Sequence, residues 1–197
     1  MAGRLQFWFE FASTYSFLSA MRIEEAATAR GITVEWQPFL LGPIFAAQGW
    51  TTSPFNLYPA KGRYMWRDME RLCISRGLQF HPPDPFPQNG LKAARLALVA
   101  RDAGAAAAFV RSVYVSEFCL GQDISDSAVL AQCWAEAGLS PDLMTRATAP
   151  AIKTALFEQT AKAQALDLFG APSFVAGGEL FWGDDRLDEA LNWAASI

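Results

Sequence analysis

A chain of 197 residues suits one domain of generous size or two small ones, and 52% hydrophobic with 18% charged residues predicts a large core. Sixteen basic and 20 acidic residues give a net charge of -4, and without a basic arm this argues against nucleic-acid binding. The apolar runs are too short to span a membrane and the N-terminus shows no secretory signal, so we expect a cytoplasmic protein that binds no membrane.

The cysteine and histidine content predicts no metal site and no disulfide framework. The three cysteines are odd in number and lack the C-x-x-C spacing; they are Cys73, Cys119 and Cys133. Cys73 continues an apolar stripe at helical spacing, so we interpret it as a core residue. The only histidine, His81, has no second histidine or thiol beside it in the sequence.

The first 40 residues predict a βαβ unit. Residues 4–11 form a short apolar run typical of a buried strand, and residues 13–30 follow with helical periodicity up to the stop at Gly31. Residues 32–39 carry the branched and aromatic side chains of a second strand. A strand, a helix and a strand in so short a stretch indicate two parallel strands.

The middle of the chain is predicted to be nearly all helical. A turn-rich loop with the sequence LLGPIFAAQGWTTSPFN comes first, and the proline-rich FHPPDPFPQNG forms a second ordered loop. The helical patterns lie at residues 60–76, 90–103, 105–118, 126–138 and 150–168. Within the first of them Arg63, Arg67 and Arg71 recur every four residues, which is typical of a solvated helix face.

The C-terminal part returns to strands. SFVAGGELFW predicts a hairpin that turns at Gly177-Gly178, and a last helix is expected at residues 185–196. The order β-α-β, helical block, α-β-β-α predicts an α/β protein: a thioredoxin-like fold with an inserted all-helical domain. We expect residues 1–44 and 151–197 to form the thioredoxin-like domain and residues 45–150 to form the inserted helical domain.

Ser13 stands where the first strand gives way to the first helix. The unpaired N–H groups and the dipole of a helix start stabilise a thiolate. No cysteine of this chain lies near that point, whereas the Ser13 hydroxyl can donate a hydrogen bond to the sulfur of another molecule. Serine is also a good N-cap, and both interpretations stay open.

Two further segments have an ordinary and a functional interpretation. Pro172 either only opens a strand or is the cis proline of thioredoxin-like folds, beside which a bound peptide backbone pairs. Asp184 or Asp185 either caps the last helix or binds a ligand ammonium. The 13% aromatic residues serve either the core or a cleft for an aromatic ligand, for which the candidates are Phe45, Trp50, Phe80 and Phe86.

Four stretches carry a resemblance to a known family: FEFASTYSFL, LLGPIF, PAKGRYMWRD and FGAPSFVAGGELFWGDDRL. Over almost its whole length the chain resembles the 2-hydroxychromene-2-carboxylate isomerases. That family is related to kappa-class glutathione transferases and, more distantly, to periplasmic disulfide oxidoreductases. The resemblance implies a homodimer that uses glutathione as its cofactor and a small aromatic carboxylate as its substrate.

The resemblance also implies roles for individual residues. Ser13 would hydrogen-bond the glutathione sulfur, and the backbone of Ala171, before Pro172, would pair with its cysteinyl part. Lys61 would attract a glycyl or substrate carboxylate, and Asn56 would lie near the ligand. The loop for the γ-glutamyl end would be Trp182, Gly183, Asp184 and Asp185, with Asp185 as the carboxylate for its ammonium.

Two positions depart from the family pattern. Thr14 stands where the family usually has proline, and Ala46 stands where it often has a lysine, which leaves the anchor of the substrate carboxylate open. The implied activity is the glutathione-dependent interconversion of 2-hydroxychromene-2-carboxylate and trans-o-hydroxybenzylidenepyruvate. The alternatives are a kappa-like glutathione transferase or peroxidase, and a non-catalytic thiol-peptide binding module; a disulfide oxidoreductase is least favoured.

Overall fold

A computed structural model describes residues 3–197, and four strands within them form one mixed sheet. The strands are β1 (Arg4–Phe9), β2 (Thr33–Pro38), β3 (Ser173–Ala176) and β4 (Glu179–Trp182). They lie in the order β2-β1-β3-β4; β1 runs parallel to β2 and antiparallel to β3, and β3 runs antiparallel to β4. The predicted parallel pair, hairpin and α/β fold of thioredoxin type are confirmed.

Helices make up most of the remaining described chain. They are α1 (Thr14–Ala20), α2 (Ile23–Thr28), α3 (Leu41–Ala47), α4 (Pro54–Leu57), α5 (Pro59–Ser75), α6 (Leu91–Asp102), α7 (Ala106–Phe118), α8 (Ser127–Glu136), α9 (Pro141–Met144), α10 (Pro150–Ala165) and α11 (Leu187–Ser196). Short 3₁₀ turns follow at Thr145–Thr148 and Asp184–Arg186. None of the helices in residues 3–197 is long and apolar enough to cross a membrane.

The predicted division into domains stays a prediction. The helices α4 to α9 lie inside the proposed insertion at 45–150, whereas α3 crosses its first boundary and α10 begins at its last residue. The first two residues of the proposed 1–44 segment lie outside the described part of the chain.

Three predicted elements need correction near the start of the chain. The strand expected at 4–11 ends at Phe9, because Ser13 N turns back to bond Glu10 O at 3.0 Å. The helix expected at 13–30 is two helices, since Arg22 N bonds Ser19 O and the Arg22 φ is -125°. The loop after β2 contains α3 and α4; Ser53 caps α4 by accepting a hydrogen bond from Phe55 N.

The central strand β1 fixes the place where α1 begins. Phe7 and Phe9 of this strand are fully buried, and the ring of Phe7 stacks on Phe174 of β3 at 5.4 Å. Each buried phenylalanine contributes about 1.5–3 kcal/mol through the hydrophobic effect. Cys73 is buried in the same core, as predicted. The packed strand therefore holds the residues that follow Phe9 in one position.

Candidate functional site

A large cavity, with a volume of about 1620 Å³, lies where the sheet meets the helical block. We call it the main cavity. Its walls come from the β1–α1 turn, the segments before β3 and after β4, α3, one side of α5 and the end of the proline-rich loop. A pocket for one small ligand usually measures about 300–1,000 Å³, so this cavity has room for more than one.

The structure brings eight of the nine predicted site residues together at the main cavity. They are Ser13, Lys61, Ala171, Pro172, Trp182, Gly183, Asp184 and Asp185. The ninth, Asn56, does not line it: the Asn56 amide donates to Thr52 Oγ1 and to the Phe86 backbone oxygen, both at 3.3 Å. The ligand-binding roles of all nine stay predictions.

Ser13 is the N-cap of α1 and is also hydrogen-bonded to the segment before β3. Its Oγ accepts a hydrogen bond from Ser16 N at 3.2 Å and donates one to the Ala171 backbone oxygen at 2.9 Å. Thr14 is the first residue of the helix and is buried, so the helix begins here without the proline of the family pattern. Because the cap uses only the oxygen of the Ser13 hydroxyl, its proton can be donated to an acceptor in the cavity wall.

The segments on either side of the β3–β4 hairpin are joined at the cavity. The Ala171–Pro172 peptide bond is cis, and Gly183 N donates to the Pro172 oxygen at 3.0 Å. Gly183 has a φ of 108°, and a Cβ there would come within 2.5 Å of the Asp185 carboxylate, so only glycine fits. Trp182 is half exposed and its ring lies 5.0 Å from that of Phe169.

The two adjacent aspartates have opposite environments. Asp184 is 4% exposed and accepts hydrogen bonds from Ser19 Oγ at 2.9 Å and from the guanidinium of Arg76. Asp185 has 78% of its side chain exposed, and its nearest cation is Arg186 at 4.0 Å. The carboxylate of Asp184 is therefore satisfied inside the protein, whereas that of Asp185 is available to a ligand.

Cationic side chains on α5 and at its end line the same cavity. Lys61 is exposed, and its Nζ lies 5.7 Å above the Tyr58 ring with no carboxylate within 4.0 Å among the described residues. Arg76, which the sequence analysis did not single out, lies one residue beyond α5 and binds Asp184. The predicted solvated face is confirmed, since Arg63, Arg67 and Arg71 are exposed.

Glu10 is a second functional candidate that the sequence analysis missed. It is 8% exposed, lines the main cavity, and accepts a hydrogen bond from Leu41 N at 2.9 Å. Burial raises the pKa of Glu10 to about 7, although three backbone N–H groups oppose the change. The carboxylate oxygens of Glu117 have no hydrogen-bond partner among the described residues, and burial together with Glu10 and Asp123 raises the pKa of Glu117 well above its usual value.

An aromatic wall faces the polar residues. Phe45, Trp50 and Phe86 line the main cavity as predicted, and Phe55 joins them. The rings of Phe45 and Trp50 lie 5.6 Å apart, with Ala46 lining the cavity between them in sequence. The prediction for Phe80 is wrong: it lies 6.2 Å from the Trp66 ring and does not line the cavity.

None of the three cysteines lines the main cavity. Cys73 and Cys133 are buried in the core, and the Cys119 thiol donates to the Gln79 oxygen at 3.2 Å. Residues 3–197 also hold no cluster of three or more His, Cys, Asp or Glu side chains arranged for a metal ion. Thiol chemistry in this cavity needs a sulfur atom that a ligand brings.

Comparison with known proteins agrees with the resemblance seen in the sequence. A family model described as a DSBA-like thioredoxin domain matches residues 4–192. A protein of Sphingobium xenophagum named 2-hydroxychromene-2-carboxylate isomerase is 28% identical over 190 residues, which cover 95% of this chain and 96% of the relative. A protein of the same name from Pseudomonas putida is 27% identical over 192 residues, covering 93% and 90%.

The fold is similar to that of a solved 2-hydroxychromene-2-carboxylate isomerase. The TM-score is 0.86 at 23% sequence identity, and the match covers 98% of this chain and 94% of that chain. At this identity the likeness concerns the fold, and the predicted thioredoxin-like architecture agrees with it.

Proposed function

The chain belongs to the DSBA-like thioredoxin domain family, and we propose that it is a glutathione-dependent isomerase of an aromatic-pathway acid of the 2-hydroxychromene-2-carboxylate type. Two curated relatives that match over nine-tenths or more of their length carry that enzyme's name. The homodimer that the resemblance implies and the cytoplasmic location expected from the sequence are part of the same proposal.

The observation that carries the proposal is the Ser13 hydroxyl at the start of α1, in a cavity to which the described chain contributes no thiol. The first turn of α1 and its N–H groups favour a negative charge beside Ser13. A peptide paired with the Ala171 backbone would occupy the Ala171 oxygen, which Ser13 now bonds at 2.9 Å. The hydroxyl is then free to donate to a thiolate.

The residues of the cavity suit glutathione chemically. The donors and acceptors present are a hydroxyl, a backbone carbonyl, an exposed carboxylate and an exposed ammonium, from Ser13, Ala171, Asp185 and Lys61. When bound, glutathione supplies a thiolate that adds reversibly to a conjugated acid, so that its carbon–carbon double bond can change geometry. Asp185 would hold the ammonium end and Lys61 a carboxylate.

The remaining volume and the aromatic wall are proposed to hold the substrate. Phe45, Trp50 and Phe86 line the cavity with aromatic rings against which an aromatic acid would pack. Asn56 is proposed to act at the rim, since its amide now bonds the Phe86 oxygen and would have to turn to reach a ligand.

The deciding experiment mixes purified protein, glutathione and 2-hydroxychromene-2-carboxylate and follows the ultraviolet spectrum. We expect conversion that requires glutathione and leaves its concentration unchanged. Consumption of one glutathione per turnover would instead indicate a kappa-like transferase, and reduction of insulin disulfides would indicate an oxidoreductase. Conversion at the same rate without glutathione contradicts the proposal.

A further inference from the structure

The Arg76 guanidinium binds the Asp184 carboxylate with both of its terminal nitrogens. Arg76 Nη1 lies 3.2 Å from Asp184 Oδ1, and Nη2 donates to Asp184 Oδ2. A guanidinium has five N–H donors, so this fork leaves three of them unused. The Arg76 side chain is 26% exposed and lines the main cavity. Its free donors are therefore within reach of a ligand.

The ion cluster around Asp184 carries more positive than negative charge. Arg22 approaches Asp184 at 3.6 Å and bonds Asp188 at 2.7 Å, while Arg30 bonds Asp188 at 3.0 Å. With Arg76, three guanidinium groups share two carboxylates, which leaves one positive charge in excess. Arg76 is the member of this cluster, apart from Asp184, that lines the main cavity.

A free carboxylate stands next to this excess charge. Asp185 directly follows Asp184, lines the same cavity and has a largely exposed side chain. Arg186, its nearest cation, is itself bonded to Glu189 at 3.3 Å. Arg76, which has free donors, is bonded to Asp184, and the unpaired carboxylate of Asp185 belongs to the next residue. Such a cation and carboxylate match a ligand group that carries both a carboxylate and an ammonium on one carbon.

We propose that Arg76 binds the α-carboxylate of the γ-glutamyl residue of glutathione, while Asp185 binds the ammonium on the same carbon. This inference rests on the proposed use of glutathione. It makes Arg76 a ligand-binding residue in addition to the partner of Asp184.

Lys61 cannot take over this role because it lies at the opposite end of α5. Lys61 is in the first turn of that helix and Arg76 is the residue that caps its end. At 1.5 Å per residue their Cα atoms are about 22 Å apart along the axis. The Lys61 ammonium also lies over the Tyr58 ring, on the side away from Arg76. Two cations so placed cannot both bind the same carboxylate.

The experiment measures binding of three peptides by titration calorimetry. They are glutathione, 4-aminobutanoyl-cysteinylglycine, which lacks the α-carboxylate, and glutaryl-cysteinylglycine, which lacks the ammonium. We expect Arg76→Met to weaken glutathione and the glutaryl peptide about tenfold and to leave the 4-aminobutanoyl peptide unchanged. Asp185→Asn should show the converse pattern, weakening glutathione and the 4-aminobutanoyl peptide.

Two variants guard against a purely structural effect of Arg76. Arg76→Lys keeps the charge and should recover part of the affinity for the α-carboxylate. If Arg76→Met does not fold, Arg76→Met combined with Asp184→Asn removes the cation without leaving a buried carboxylate unpaired, and the same peptide pattern is expected.

The possible failures are distinct. An equal loss of affinity for all three peptides would show that Arg76 only holds the loop, and it would overturn the inference while the proposed isomerase stands. Failure of the native protein to bind glutathione would overturn both.

Discussion

The Ser13 hydroxyl donates a hydrogen bond to the backbone oxygen of Ala171 at 2.9 Å, although 158 positions separate the two residues. This bond joins the start of α1 to the turn before β3, the two places where a thioredoxin-like fold meets a peptide ligand. It also shows that capping leaves the Ser13 hydroxyl proton available for a second partner. Oγ accepts a hydrogen bond from Ser16 N at the start of the helix, while its own proton is donated to the Ala171 oxygen.

Replacing Ser13 tests which of these uses matters. We expect Ser13→Ala to lower the rate of isomerisation at least about tenfold and to raise the Kd for glutathione less than about threefold, because the hydroxyl acts on the sulfur. Loss of the cap should lower the free energy of unfolding by about 1 kcal/mol. Ser13→Thr, which keeps a hydroxyl, is the control. If activity falls only in proportion to the fraction of folded protein, Ser13 serves as a helix cap and not in the reaction.

The neighbouring aspartates should respond in opposite ways to the same substitution. Asp184→Asn leaves the charge of Arg76 uncompensated and leaves Arg22 with Asp188 alone. We expect a loss of about 3 kcal/mol in unfolding free energy, at the low end because both arginines reach solvent. Asp185→Asn should change stability by less than about 0.5 kcal/mol but weaken glutathione binding. Urea unfolding measures the stability of both variants, and titration calorimetry measures their affinity for glutathione. A stability loss in Asp185→Asn as large as in Asp184→Asn would contradict it.

Glu10 should make stability depend on pH. Burial raises its pKa to about 7 in the folded protein, from an ordinary value of 4.5. The folded state thus favours the protonated carboxyl, and its contribution to stability is complete below pH 4.5 and is lost as pH rises through 7. The loss amounts to about 3 kcal/mol.

Urea unfolding of the native protein between pH 5 and 8 measures this effect. Glu10→Gln keeps an oxygen for the Leu41 N–H and should make the fall in stability over that range smaller; the part that remains is expected from Glu117, whose pKa is also raised. Glu117→Gln measures the separate contribution of the other buried carboxyl, whose pKa is raised by burial and by Glu10. Identical pH curves for the native protein and Glu10→Gln would exclude Glu10 as the titrating group.

Lys61 is expected to bind a carboxylate that the ligand brings. Lys61→Met should raise the Kd for glutathione about fivefold if it holds the glycyl carboxylate, or raise the KM for the aromatic acid if it holds the substrate instead. The affected constant should also lose its dependence on salt. Arg63→Met removes a cation from the same helix outside the cavity and should change neither constant.

Much of the fold is predictable from local patterns. The apolar run before Ser13, the stop at Gly31 and the turn at Gly177-Gly178 mark the strands and their connections by side-chain chemistry alone. The short helices α3 and α4 were missed because each spans two turns or fewer and carries too little periodicity to separate from a loop.

The missed site residues depend on contacts between distant parts of the chain. Arg76 falls outside the four-residue spacing of the exposed arginines, and its partner Asp184 is 108 positions away, so nothing local marks the pair. The sequence did contain a signal for Glu10, an acid inside the apolar run FWFEF. Its burial follows from the packing of Leu41 and of residues near Gly90 around it, which no neighbouring residue reveals.

The placement of all three cysteines away from the main cavity has a consequence for redox conditions. If glutathione provides the reacting sulfur, alkylating or oxidising the protein's own accessible thiol, that of Cys119, should leave turnover intact. Turnover would instead follow the amount of reduced tripeptide in the surrounding solution. Oxidation of the surrounding glutathione would then inactivate the enzyme reversibly. Reducing the glutathione again would restore full activity without repair of the polypeptide.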